Sequence, residues 1–142
     1  MRIPVRLGII AILFASAGAQ ATPAERLDEG SVRAVEGRWN EYEMTGDARS
    51  LDALLDPAYV SIATTGKISR KADIIAGAVA YAATHPGAHG SPLPMTSTVQ
   101  MLGAAALVRH IGASYLSMDL FAFRNGRWRA IYSQHTAIAP VD

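Results

Sequence analysis

The stretch SYLSMDLFAFRNGRWRAIYSQHTAI, residues 114–138, decides the fold of this chain. Two runs rich in aromatic and aliphatic residues flank Asn125-Gly126, and this dipeptide between such runs is the strongest short-range signal for a β-hairpin. The same stretch carries Asp119, Gln134 and His135, which are unusual inside a plain apolar core. The sequence therefore predicts a long hairpin at the centre of a sheet, with these polar residues as candidates for a pocket.

The register of this hairpin decides which polar residues share a face. A two-residue type I′ turn sets Phe123 opposite Trp128. It then places Asp119, Tyr132 and Gln134 on one face of the hairpin. We favour this register because aromatic pairs across neighbouring strands stabilise a sheet.

The alternative is a three-residue turn that closes on Gly126 as a bulge. It slips the pairing by one residue, and a one-residue slip exchanges the two faces because strand side chains alternate. Asp119 would then share a face with Ser133 and His135. In either register both faces are substantially apolar, so we expect helices to cover one face and a second subunit to cover the other.

Residues 1–21 have the pattern of a secretory signal peptide. A short basic region with Arg2 and Arg6 precedes an apolar run that is too short to span a membrane comfortably. Ala19-Gln20-Ala21 follows as a cleavage site of the A-x-A type. We expect cleavage after Ala21, a periplasmic or secreted location, and a single domain over residues 22–142.

The charge and cysteine content of the mature chain exclude several classes of partner. Removal of the signal peptide takes away two arginines and leaves 11 Lys plus Arg against 12 Asp plus Glu, a net charge of −1. A slightly acidic domain lacks the electrostatic footprint of a protein that binds nucleic acid or an anionic membrane, so we expect neither partner. The chain has no cysteine, which excludes disulfides and cysteine metal ligands.

Three helices are expected in the first half of the chain. Thr22-Pro23-Ala24-Glu25 has the pattern of a capping box and opens the first helix. Asp47 caps a second, short helix that Pro57 ends, and Ser69 caps a third helix after a strand over residues 59–64. The apolar face of the first helix, read at helical spacing, consists of Val32, Val35, Trp39 and Tyr42.

The second half of the chain has the pattern of strands. Residues 95–101 alternate in polarity, and residues 104–111 form a nearly continuous apolar strand that contains His110. Helices followed by consecutive antiparallel strands predict an α+β fold, with three N-terminal helices packed on the concave face of a strongly bent antiparallel sheet. Such a sheet leaves a cone-shaped cavity, which is a natural site for a small molecule.

Three segments resemble nuclear transport factor 2-like domains, most closely the SnoaL-like and uncharacterised bacterial branch. They are W-N-E-Y-x-x-x-G-D-x-x-x-L-D-x-L-L-D-x-x-Y-V (residues 39–60), TTGKISRKADII (residues 64–75) and MDLFAFRNGRWRAIYSQHT (residues 118–136). The resemblance implies a cone-shaped α+β barrel and, commonly, a homodimer, here through the outer sheet face. The superfamily includes ketosteroid isomerases, scytalone dehydratase, polyketide cyclases and non-catalytic association domains, so the resemblance implies a pocket but no particular reaction.

Asp119, His110 and His135 are the candidates for catalysis. In a pocket with apolar walls, Asp119 could abstract a proton beside a carbonyl group, whereas in a structural role it would be held by Tyr132 or an arginine. Either histidine could be its acid/base partner, as in a His–Asp dyad of the scytalone dehydratase kind, or a structural residue. His135 suits that role only in the slipped register. Gln134 suits the favoured register, as a hydrogen-bond donor to a ligand.

Four aromatic residues are candidates for the walls of a pocket. They are Trp39, Tyr42, Tyr59 and Tyr132. All four would also fit a plain core. The pocket interpretation has in its favour that a buried indole N–H or phenol hydroxyl needs a hydrogen-bond partner, which a polar cavity supplies.

No metal site and no cofactor are expected. His85 and His89 have the four-residue spacing of helical metal ligands, but Pro86 and Gly87 between them disfavour a helix. The sequence also lacks G-x-S-x-G, a phosphate-binding glycine loop and H-E-x-x-H.

Three functions remain. The favoured one is an exported pocket domain that binds a small, largely apolar or carbonyl-containing molecule without turnover. The second is a cofactor-independent isomerase, dehydratase or cyclase that uses Asp119 with a histidine. The third is a protein-association module with the outer sheet face as its interface.

Overall fold

The computed structural model describes residues 24–91 and 95–138, in which three helices and six strands form one α+β unit. The helices are α1 (Glu29–Thr45), α2 (Ala48–Leu54) and α3 (Lys71–Thr84). The strands are β1 (Leu55–Ile62), β2 (Ile68–Arg70), β3 (Thr96–Leu102), β4 (Ala105–Ile111), β5 (Tyr115–Arg124) and β6 (Arg127–Ala137). The predicted signal peptide lies outside the described residues.

The strands form one sheet in the order β2-β1-β6-β5-β4-β3. The four strands β3 to β6 are consecutive and antiparallel, as predicted. One pairing differs from the expected all-antiparallel sheet: β1 runs parallel to β6. The predicted fold class, helices packed on a bent sheet, is confirmed. Within the described residues, no helix is both long and apolar enough to cross a membrane.

The core lies between α1 and the inner face of the sheet. Val32, Val35 and Trp39 are buried on α1, as the helical spacing predicted. The ring of Trp39 packs edge-on against Tyr59 and Phe121, with centroids 5.8 Å away in both cases. These three rings belong to the buried core under α1.

The first helix begins later than predicted. Thr22 and Pro23 lie outside the described residues, and Glu25 precedes the helix rather than opening it. Asp28 is the N-cap, and its carboxylate accepts a hydrogen bond from the Ser31 amide at 2.8 Å. Glu25 instead accepts from the backbone N–H of Trp128 at 2.6 Å. The Glu25 carboxylate is therefore bound to the sheet instead of completing a capping box, and the N-cap of α1 is Asp28.

The second and third helices also differ from the prediction in detail. Asp47 caps α2 as expected, by accepting from the Ser50 amide. The helix ends at Leu54, and Pro57 lies inside β1, where the register with β6 is interrupted. The predicted cap Ser69 lies in the short strand β2, so α3 begins after it, and the Arg70 N–H donates to Asp73.

The hairpin follows the favoured register near its turn and departs from both predicted registers farther along the strands. Asn125 and Gly126 have φ of 52° and 73°, as a two-residue type I′ turn requires, and Phe123 pairs with Trp128. A register shift between Leu120 and Phe121 then changes the pairing of the remaining residues.

Beyond this shift Asp119 pairs with Ser133, whereas the favoured register, continued without a bulge, would pair it with Tyr132, so that register is wrong for this part of the hairpin. Phe121 pairs with Ala130 and Leu120 with Tyr132, which makes Ile131 the extra residue. The bulge therefore exchanges the two faces along the distal part of β6.

Candidate functional site

A cavity of about 590 Å³ lies between α1 and the inner face of the sheet. Helix α1 contributes Glu36, Trp39, Asn40 and Glu43 to its wall. The sheet contributes Tyr59, Ser61, Ser97, His110, Tyr115, Ser117, Asp119, Ser133 and His135. The volume is within the range of small-molecule sites, but the lining is richer in polar groups than a site for a purely apolar ligand.

Cross-strand pairing arranges the polar residues of the sheet in two adjacent rows. Ser97 pairs with His110, His110 with Ser117, and Ser117 with His135. In the next row, Asp119 pairs with Ser133, which in turn pairs with Ser61. These side chains lie on the inner face because strand side chains alternate, and the bulge in β6 keeps Ser133 and His135 on that face.

A carboxylate–imidazole–carboxylate cluster lies at the centre of the cavity wall. Nε2 of His110 is 2.9 Å from Oε1 of Glu36 and 3.5 Å from Oδ2 of Asp119. The three side chains are largely buried, with 12%, 23% and 8% of the His110, Glu36 and Asp119 side chains exposed. One imidazole therefore lies within ion-pair distance of two carboxylates in a region of low dielectric constant.

Two serine hydroxyls hold this cluster in place. Ser97 Oγ lies 2.6 Å from Nδ1 of His110, on the side of the ring away from the carboxylates. Ser133 donates its hydroxyl proton to Oδ1 of Asp119. Among the described residues, Oε2 of Glu36 has no partner and is buried. A buried carboxylate oxygen without a hydrogen-bond partner is energetically unfavourable. A proton or a cation bound at Oε2 of Glu36 would therefore stabilise the cluster.

The surroundings shift the pKa values of Asp119 and of the two histidines in the cavity wall. Burial raises the pKa of Asp119 to about 7, and repulsion from Glu36 adds to this effect, while Ser133 and His110 oppose it. The hydrogen bond with Glu36 is the main reason that the pKa of His110 is raised. Burial lowers the pKa of His135, so this second histidine favours its neutral form.

The same three residues could hold a metal ion. Glu36, His110 and Asp119 each offer one ligand atom, and these atoms lie within 4.8 Å of one another. A nitrogen and two oxygens suit Zn²⁺, and the two serine contacts resemble the outer-shell hydrogen bonds that orient metal ligands. The prediction of no metal site considered only His85 and His89, which contact Tyr81 and Glu41 respectively.

The structure brings together most of the residues that the sequence indicated. Asp119, His110, His135, Trp39 and Tyr59 all line the cavity.

The remaining three lie elsewhere. Tyr42 packs against the core outside this cavity. The bulge turns Tyr132 and Gln134 to the outer face, where the Tyr132 hydroxyl donates to Oε1 of Gln134 at 3.0 Å. The prediction that Gln134 and Tyr132 reach the pocket beside Asp119 is therefore wrong.

Sequence reasoning missed the carboxylates of α1. Glu36 and Glu43 flank Trp39 at spacings of three and four residues, so they share the face that Val32 and Val35 bury. A carboxylate on the apolar face of an amphipathic helix is a detectable signal, because such a face otherwise excludes charge. The wall serines carried no comparable signal, since serine is common in strands and turns alike.

Comparison with known proteins identifies the fold. No protein-family profile and no curated protein sequence matches the chain. Among solved structures, an NTF2-like protein from Cytophaga hutchinsonii is similar, with a TM-score of 0.65 and 16% identity over 78% of this chain and 98% of that chain. A protein of unknown function with a cystatin-like fold from Nostoc punctiforme has a TM-score of 0.58 and 17% identity, over 81% of this chain and 94% of that one.

A third similar structure is an NTF2-like protein of unknown function in nutrient uptake from Rhodospirillum rubrum. Its TM-score is 0.57 and its identity 16%, over 76% of this chain and 98% of that chain. At such identities the similarity establishes the fold alone. The chain has the nuclear transport factor 2-like, or cystatin-like, fold, and its function must be argued from the site.

Proposed function

We propose that this protein is an enzyme that moves a proton on a small molecule without a cofactor, as an isomerase or a dehydratase does. One observation carries the proposal: the Asp119 carboxylate lies in a cavity wall with Oδ2 3.5 Å from Nε2 of His110. Groups with strongly perturbed pKa values in a cleft are characteristic of catalytic acids and bases. The function that the sequence favoured, binding of an apolar molecule, does not require such a cluster.

Each member of the cluster has a separate task in this proposal. Asp119 as a carboxylate removes a proton from a carbon of the substrate. His110 as an imidazolium donates its Nε2 proton to the substrate oxygen on which negative charge develops. Glu36 holds His110 in the charged form, and Ser97 fixes the orientation of the ring.

The proton balance of the two reactions differs only in their last step. When the proton is removed from a carbon beside a carbonyl group, the first transfer yields an enol. In an isomerisation, Asp119 then returns its proton to a second carbon of the substrate, and His110 recovers its own proton from the enol oxygen. When Asp119 removes the proton from a carbon beside one that bears a hydroxyl group, the hydroxyl oxygen takes the proton of His110 and leaves as water. Transfer of the proton from Asp119 to His110 then restores the pair.

The test is hydrogen–deuterium exchange into small ketones, followed by proton NMR in D₂O. We expect the full chain to catalyse exchange at the carbon beside the carbonyl, and Asp119→Asn to lose at least about a hundredfold, which is the ordinary contribution of a general base. Asp52→Asn is the matched control, since Asp52 is a carboxylate on the surface that pairs with Lys71. Equal exchange by the Asp119 and Asp52 variants would refute the proposal.

A chelator separates proton transfer by the residues from a metal mechanism at the same cluster. In the proposed reaction Glu36, His110 and Asp119 bind protons through the same atoms that would bind a metal ion. Added Zn²⁺ should therefore inhibit the exchange reaction, and EDTA should not. Activation by Zn²⁺ and loss of exchange in EDTA would instead show that the three residues are metal ligands.

We also propose that the mature domain is exported and forms a homodimer through the outer sheet face. Arg2, the apolar run after it and Ala19-Gln20-Ala21 support export. Partly buried apolar residues on the outward side of β5, such as Leu116 and Leu120, support association. Mass spectrometry of the N-terminus after expression tests cleavage at Ala21, and light scattering of Leu120→Lys tests the dimer.

A further inference from the structure

The ionisable residues of the cavity wall include more acidic than basic groups. Among the described residues that line it, Glu36, Glu43 and Asp119 are acidic, His110 and His135 are imidazoles, and none is lysine or arginine. Even with His110 protonated, acidic groups outnumber basic ones at neutral pH. A cavity with this balance has a negative potential, which its low-dielectric walls strengthen.

Glu43 is the carboxylate of this set that the proposed reaction does not use. It lies two helical turns after Glu36 on α1, and the Trp39 indole N–H donates to its Oε1 at 2.9 Å. Within the described residues, no ion pair to Glu43 is formed by lysine, arginine or histidine. Burial raises the pKa of Glu43, and repulsion from another carboxylate, Glu36, adds to this effect. A partly buried carboxylate with one neutral donor is a poorly satisfied group.

Glu36 adds to the same field. Its Oε1 is paired with His110, but its Oε2 is buried without a partner among the described residues. Glu43, Tyr59 and Asp119 all line the same cavity, so this aromatic residue shares the wall with both carboxylates. A ligand that fills the cavity therefore extends from the reacting group at Asp119 to the second carboxylate at Glu43.

We propose that the ligand of this cavity is a small organic cation, an amine or ammonium compound whose charged nitrogen binds Glu43. An ammonium group gives Glu43 the charge-assisted hydrogen bond that it lacks, while a carboxylate or phosphate at the same place would be repelled. The aromatic walls formed by Trp39, Tyr59 and Tyr115 suit the apolar part of the ligand and the cation itself. Combined with proton transfer at Asp119, the substrate class is an amine that also carries a carbonyl or hydroxyl group.

This inference rests on the proposed function in two respects: the cavity is the ligand site, and the carbonyl or hydroxyl group of the substrate follows from proton transfer at Asp119. The preference for a cation depends on the first of these alone. Three probes of similar size and different charge test it by titration calorimetry on the full chain: 2-phenylethylammonium, 2-phenylethanol and 3-phenylpropanoate. We expect the ammonium probe to bind about tenfold more tightly than the alcohol, as one charge-assisted hydrogen bond permits, and the carboxylate to bind most weakly. Glu43→Gln should abolish the tenfold preference and leave the affinity for the alcohol unchanged.

Glu29→Gln is the matched control, because Glu29 also lies on α1 but is exposed and pairs with Arg33. It should keep the full preference. Equal affinities for the ammonium and alcohol probes, tighter binding of the carboxylate, or absence of binding by all three at millimolar concentration would each overturn the proposal. A loss of affinity for the ammonium and alcohol probes alike in Glu43→Gln would do the same.

The two proposals fail in different experiments. Asp119→Asn should still prefer the ammonium probe to the alcohol, since the variant keeps the Glu43 carboxylate that binds the charged nitrogen. A chain that prefers the ammonium probe without catalysing exchange is a cation-binding protein, which refutes the proposed enzyme and supports the ligand class. A chain that catalyses exchange without the preference supports the enzyme and refutes the ligand class.

Discussion

At the scale of single residues, the behaviour of His110 depends on what each ring nitrogen contacts. Nδ1 lies beside a neutral hydroxyl, Ser97, while Nε2 faces two carboxylates. The carboxylates favour the imidazolium, and the shorter contact, with Glu36, has the larger effect on the pKa. The charge state of His110 is therefore set mainly by a residue 74 positions earlier in the chain.

Substitution of Glu36 tests this dependence directly. In Glu36→Gln the raised pKa of His110 should fall, because the imidazolium loses the carboxylate that contributes most to the shift. Titration of the ring by two-dimensional ¹⁵N NMR measures the change. Glu29→Gln should leave the titration unaltered, and an unchanged pKa in Glu36→Gln would contradict the role assigned to Glu36.

At the scale of secondary-structure elements, tertiary contacts select among local signals of similar strength. The segment before α1 contains the predicted cap Thr22 and the observed cap Asp28, and the outer part of the hairpin can pair with or without a bulge. In both cases the selected alternative is the one that satisfies groups in another element: Glu25 bonds the Trp128 N–H, and the bulge brings Ser133 to Asp119.

The position of the first cap can be measured by a pair of variants. Asp28→Ala should lower the urea midpoint of unfolding, because the Ser31 amide loses its acceptor. Thr22→Ala should leave the midpoint unchanged if Thr22 caps no helix. A lower midpoint for Thr22→Ala than for Asp28→Ala would instead indicate that the first helix begins at the predicted capping box.

At the scale of the whole molecule, the buried cluster makes stability depend on pH. Folding raises the pKa of Asp119 from its ordinary value of 3.8 to about 7, so between these two pH values the folded chain keeps a proton that the unfolded chain has lost. The free energy of unfolding therefore falls as pH rises from about 4 to about 7. His110 acts in the same direction above its ordinary pKa, because its folded pKa is also raised.

Asp119→Asn should remove much of this dependence. At neutral pH we expect the variant to be more stable than the natural chain by roughly 2–4 kcal/mol, since an amide needs no proton to be buried. Below about pH 4 the two chains should have similar stability. Thermal unfolding followed by circular dichroism across this range provides the measurement, and a less stable variant at pH 7 would show that the carboxylate is stabilising.

The sequence by itself determined the fold class, the hairpin turn and most of the strands. Periodicity reports burial, and Asn125-Gly126 defines a local backbone conformation, so both are properties of neighbouring residues. The core face of α1 followed from helical spacing for the same reason. Asp119 and His110 were recognisable as candidates because polar residues within apolar strands are unusual.

Only the tertiary structure decided what these candidates contact. The bulge at Ile131 inverts the distal half of β6, and its position depends on packing in the sheet rather than on the turn. Glu36 reaches His110 because α1 crosses the inner face of strands that come more than 50 residues later in the chain. The charge of a buried site depends on groups from elements that are distant in the sequence, so no local sequence pattern can predict it.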